Sequence, residues 1–168
     1  GNSNYQIYRM RTAFVPEQDA SYLVRIKNQR LFQEYLKTRP FGGGIGHAGD
    51  RAQAYTPGTF LSSVATDSWF VLIWAECGII GLYLHLFILG YIIGKGCYIC
   101  MVKIRDPELL VKISALLCGI FGIMVASYGN AVLGQFPTGL LIYASMAYVF
   151  LAPGLDQMIL EQKSNTTS

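Results

Sequence analysis

The chain has 168 residues, 52% apolar and only 14% charged, with a mean hydropathy of +0.37. Soluble domains carry roughly 25% charged residues, so the composition points away from an ordinary soluble globule and towards a bilayer. A net charge of +3, dispersed along the chain, is too small to argue for nucleic acid, and we expect no nucleic-acid partner. The charge is uneven. Residues 69–94 contain one acid, Glu76, and no base, whereas the first 68 residues are polar, basic and glycine-rich. We therefore expect an all-α integral membrane protein, a polytopic bundle fragment with an external loop region (1–68) and about three transmembrane helices. The start at Gly1 and the end shortly after the last apolar stretch lead us to expect that earlier spans are missing.

The first expected element is a helix over 17–38. Leu23, Ile26, Arg30 and Glu34 share one face at spacings of three and four, and Asp19 or Ser21 is a candidate cap. This face is only partly apolar, which suits a helix on the membrane surface with Arg25, Lys27 and Arg30 near phosphates, or a solvated helix. Then comes Arg39-Pro40-Phe41-Gly42-Gly43-Gly44-Ile45-Gly46-His47-Ala48-Gly49-Asp50-Arg51. Gly44, Gly46 and Gly49 match the dinucleotide fingerprint, but that motif needs a βαβ setting that is absent here. A glycine turn with free N–H groups between Arg39 and Arg51 is an anion-binding candidate, or simply a flexible loop.

Asp67-Ser68 precedes the first apolar stretch, 69–94, which exceeds the roughly 20 residues that a span needs. Glu76 falls about 10 Å along it at 1.5 Å per residue, where a charge is costly unless it faces a bundle interior or wet cavity. His85 falls on the opposite helical face and reads as a packing residue. The second span is expected over 109–128, with Lys112 able to snorkel. The third is expected over 137–153, ended by Pro153-Gly154 and followed by a cytoplasmic tail, 154–168. Gly90 and Gly94, Ala115 and Gly119, and Gly122 and Ala126 form small-residue pairs expected at helix contacts. Cys97-Tyr98-Ile99-Cys100 follows an apolar run, so we read its cysteines as small hydrophobes. Lys95, Lys103, Arg105 and Lys112 place the connection between the first two spans in the cytoplasm, with 1–68 and 128–137 outside.

Arg30, then Pro40-Phe41-Gly42-Gly43-Gly44-Ile45-Gly46, then Glu76-Cys77-Gly78-Ile79-Ile80-Gly81 resembles the O-antigen ligase and O-antigen polymerase family. That family shows an arginine, a short helix, a Pro-x-Gly-x-Gly turn and a span carrying Glu-x-Gly-x-x-Gly. The resemblance covers residues 25–95, and Thr59–Gly81 looks most like versions from Bacteroidetes-type bacteria. It implies a glycosyltransferase of the bacterial inner membrane, acting on its periplasmic side in surface polysaccharide and lipopolysaccharide assembly. The donor would be an undecaprenyl-diphosphate-linked glycan and the acceptor another glycan or lipid A core, among membrane lipids, with no cofactor and no metal. Arg30, Arg39 and Arg51 are the candidate diphosphate ligands, because guanidinium forks match phosphate oxygens. Asp67 or His47 is the candidate proton acceptor, with Glu76, Gly44 and Gly46 in support. The family's usual His-Asn is replaced here by Asp67-Ser68. The alternative is a polysaccharide or lipid transporter or flippase fragment without covalent chemistry, in which Asn130, Gln135 and the broken stretch Gly129–Pro137 would form a discontinuous helix at the binding site.

Overall fold

The computed structural model describes residues 20–166, and over that range the secondary structure is helical, with no strand. The long helices are α1 (Ala20–Leu36), α2 (Trp69–Tyr98), α3 (Pro107–Ala126) and α4 (Thr138–Thr166). A π-helical turn, Ile99–Lys103, extends α2. Three helical stretches are long and apolar enough to cross a membrane: Trp69–Lys103, Pro107–Ala126 and Thr138–Asn165. The chain divides into two compact units, Gly1–Asp67 with Val71–Gly81, and Ser68–Phe70 with Leu82–Ser168.

In the first unit, α1 lies inside the expected 17–38. Residues 17–19, including the cap candidate Asp19, lie outside the described residues, as does the side chain of Ser21. The helix stops at a turn in which Arg39 N–H donates to the Leu36 carbonyl at 2.9 Å, one residue before Pro40, whose ring disfavours helical geometry in its predecessor. Phe32 and Leu36, four apart, are buried with Ala48, Leu61, Val64 and Ala75. Phe60 joins the same side, stacked on Tyr35 at 4.7 Å and edge-on to Phe32 at 6.4 Å. Phe60–Ser63 forms one helical turn, capped by the Thr59 hydroxyl accepting from Ser62 N–H.

The stretch expected as one straight span is interrupted. Gly78 has φ 69° and ψ −170° inside α2, a conformation essentially reserved for glycine. Residues sixteen apart on a straight helix are separated by about 24 Å, yet Trp69 Nε1–H donates to His85 Nε2 at 3.0 Å. The helix is therefore sharply bent at Gly78. One straight helix over 69–94 is not what the structure has, while Trp69–Lys103 remains one stretch long and apolar enough to cross a membrane. Residues 82–103 alone would cover about 33 Å, enough to cross the hydrocarbon. Glu76 belongs to the same compact unit as the glycine turn.

In the second unit, α3 buries Leu109, Ile113, Leu117 and Ile120, a repeat of four, four and three that puts them on one face. Met146, Val149 and Ala152 of α4, Leu89 and Ile99 of the α2 stretch, and Ile104 and Leu133 of the connections share this core. Gly96 is a close-contact glycine of the long α2 helix: an added Cβ would strike the Leu117 side chain. Gly90, Gly94, Gly119 and Gly122 face open space instead, and Ala115 and Ala126 are exposed, so these pairs are not packed inside the unit. Spacing alone cannot say which of several small-residue faces is covered.

The third stretch continues past Pro153 to Thr166 as one helix, correcting the expected stop at Pro153-Gly154. Proline is tolerated in apolar helices when neighbouring groups hold the chain. Here Ala152 is fully buried, and the Asp156 carboxylate accepts the backbone N–H groups of Arg105 and Asp106 at 3.1 and 2.8 Å. Asp106 caps α3 by accepting Leu109 N–H at 2.9 Å and pairs with Lys163. The Lys163 ammonium, with the Leu109 N–H second, holds the Asp106 carboxyl below the usual carboxylate range. The stretch 129–137 is a connection containing a 3-10 turn, Val132–Gly134, between the ends of α3 and α4. It is not the discontinuous helix imagined for a transporter.

Candidate functional site: a glycine turn seated in a broken helix

A helix that stops leaves carbonyls without partners, and one that starts leaves N–H groups without partners. The break at Gly78 creates both within a few residues, and the glycine turn satisfies them. Gly43 N–H donates to the Ala75 carbonyl and Gly44 N–H to the Glu76 carbonyl, both at 2.9 Å. From the other stub, Ile80 N–H donates to the Pro40 carbonyl at 3.4 Å. Residues 40–44 thus act as a splice across the interruption. Such backbone approach leaves no room for side chains. A Cβ on Gly42 would collide with the backbone of Glu76 and Gly78, and one on Gly78 with the backbone of Pro40 and Gly42. Both glycines also carry positive φ, so two independent constraints demand glycine there.

The Glu76 side chain completes the arrangement, its Oε1 accepting Gly46 N–H at 2.9 Å. The turn then closes on itself, with His47 N–H donating to the Gly44 carbonyl at 3.3 Å. His47 Nδ1 lies 3.1 Å from the Ile45 carbonyl oxygen. A carbonyl only accepts, so Nδ1 is the donor, and in the neutral ring Nε2 keeps its lone pair. The His47 side chain is exposed. The structure therefore brings together Gly44, Gly46, His47 and Glu76, and fastens the turn that presents the imidazole.

The other foreseen residues stand elsewhere. Asp67 is exposed and faces Arg25, Nε to Oδ2 at 3.8 Å. Arg30 lies on an open groove of about 500 Å³ along α1, with Leu23, Ile26, Lys27 and Glu34. Arg39 lies over the Tyr35 ring at 4.0 Å, a cation–π contact. Arg51 falls in the 3-10 turn Asp50–Ala54, and its side chain lies outside the described residues. Sequence reasoning quoted Gly42 and Gly78 within their motifs but did not single them out as the two residues on which the seating depends. For Gly78 the signal was present: a glycine two residues after the lone acid of an apolar run is the natural place for a break. No protein-family model matches the chain, and neither a curated protein nor a solved structure matches it.

Proposed function

We propose that this chain is part of an integral membrane glycosyltransferase of the bacterial inner membrane. It would move a glycan from undecaprenyl diphosphate to an acceptor sugar on the periplasmic side, as an O-antigen ligase or polymerase does. The observation carrying this reading is the seating of the Pro40–Gly46 turn in the Gly78 break. The two motifs behind the family resemblance are thereby one physical object, with an imidazole at its edge. In the reaction, the acceptor hydroxyl oxygen attacks the anomeric carbon, and the bond from that carbon to the diphosphate oxygen breaks. The hydroxyl proton passes to a base within hydrogen-bond reach. The lipid diphosphate departs with the electron pair, and nearby guanidinium groups offset its growing charge.

His47 suits the base better than Asp67. Its Nε2 is unencumbered, whereas the Asp67 carboxylate already faces the Arg25 guanidinium. Arg30 remains the first choice for the diphosphate and Glu76 the group that positions the turn. The test is Arg30→Ala, Asp67→Asn and His47→Ala in the full-length protein, with protein level checked by immunoblot. Loss of surface polysaccharide on gels is expected for Arg30→Ala and His47→Ala. Unchanged polysaccharide in all three would end the proposal.

A transporter is the second reading, and the interrupted α2 is the observation that favours it, because discontinuous helices mark transport sites. In such sites the unwound carbonyls are free for the cargo. Here those of Ala75 and Glu76 already accept Gly43 and Gly44 N–H groups, which favours the transferase.

A further inference from the structure

Two ammonium groups meet on one ring near the end of the α2 stretch. Lys95 Nζ lies 5.4 Å and Lys103 Nζ 5.9 Å from the centroid of the Tyr98 ring, within the range of a cation–π contact. Lys95 stands three residues before the tyrosine and so shares its helical face. Lys103 stands five residues after it, and in an α-helix that spacing would leave the two side chains about 140° apart. The π-helical turn Ile99–Lys103 removes the difference. Ile104 N–H donates to the Ile99 carbonyl at 3.2 Å, five residues back, and this wider winding brings residues five apart to one side. Such turns are rare and concentrate at functional sites. Two like charges drawn to one ring repel each other, and an anion between them would turn that repulsion into attraction. Lys112 and Lys163 are already paired with Glu108 and Asp106, whereas among the described residues neither Lys95 nor Lys103 has a carboxylate partner. Between Tyr98 and Lys103 the chain is apolar and open, with Met101 84% and Val102 58% exposed. An anion that suits both features carries acyl chains.

We infer that Lys95, Tyr98 and Lys103 form a headgroup site for an anionic phospholipid at this end of α2. The phosphate lies between the two ammonium groups, and the acyl chains run beside Met101 and Val102. Basic residues at the end of a span attract anionic lipid by charge alone. The π-turn adds position, because it sets the second cation over the same ring as the first. The inference rests on the reading of α2 as a membrane helix, and not on the transfer reaction.

The test is native mass spectrometry of the full-length protein in detergent, with phosphatidylglycerol or phosphatidylcholine of the same acyl chains added. Phosphatidylglycerol should be retained in preference. Lys95→Gln and Lys103→Gln should each weaken its binding about fivefold, the size of one lysine's attraction to an anionic headgroup layer. Lys103→Arg keeps the cation and should retain binding, which separates lost charge from a disturbed helix end. Lys112→Gln, which removes a cation paired elsewhere, should change nothing. Equal retention of the two lipids would overturn the inference, and so would an equal loss in Lys112→Gln, which would mean diffuse charge rather than a site. Displacement of phosphatidylglycerol by inorganic phosphate would overturn it too, because a site for the free ion needs no acyl chains. None of these readouts requires turnover, so selective lipid binding in a protein without transfer activity would sink the transferase reading alone.

Discussion

At the residue scale, the site depends on glycines that tolerate no side chain and on a carboxylate used as an anchor. Gly78→Ala combines a glycine-only backbone conformation, worth on the order of 1–3 kcal/mol, with collision against the Pro40 carbonyl and Gly42 nitrogen. A clear loss of thermal stability in detergent is expected. Gly90→Ala, made where a Cβ meets open space, should change little. Glu76 makes a sharper pair of variants. Gln keeps an oxygen for Gly46 N–H, whereas Ala leaves that donor to water at a cost of about 1 kcal/mol. Glu76→Gln should therefore retain most function and Glu76→Ala should lose it, measured as surface polysaccharide at matched protein level. Equal loss in both would mean that the charge, not the hydrogen bond, is what matters.

At the scale of elements, the acids Asp106 and Asp156 tie the start of α3 to α4. The Asp106 carboxyl is held below its ordinary value by Lys163 and the Leu109 N–H, so its ionised form is the one that stabilises the fold. That contribution is fully present above the unfolded carboxyl value of about 3.8 and is lost as pH falls through the lower folded value. Thermal melts across acid pH should show a decline that is shallower in Asp106→Asn, and identical slopes would refute the assignment. These elements also show what could be read from the chain alone. Long apolar runs locate membrane-length helices because a bilayer demands that length. The α3 face was implicit in the spacing of its leucines and isoleucines. The end of α4 was not legible, because Pro153 is a stop signal only when nothing beyond it is anchored, and the anchor is a backbone contact fifty residues away. Likewise the glycine turn and the Glu-x-Gly stretch were each visible, but the sequence separates them by about thirty residues. Their seating depends on main-chain hydrogen bonds, which no residue type announces.

At the scale of the whole molecule, the proposal joins an apolar three-helix bundle to a polar segment that carries the chemistry. The basic connection Lys103–Arg105 is expected inside the cell and the glycine turn outside. A thiol introduced at Tyr55, which is 84% exposed, should react with an impermeant reagent added to spheroplasts. Reaction only after lysis would place the turn where no lipid-diphosphate glycan is presented. The most direct measurement is reconstitution of the full-length protein in vesicles with an undecaprenyl-diphosphate-linked glycan and a sugar acceptor. The account predicts a new glycosidic product by mass spectrometry, with free undecaprenyl diphosphate released in equal amount, and loss of both in His47→Ala. A folded protein that moves the intact lipid-linked glycan across the bilayer and forms no glycosidic bond would contradict it.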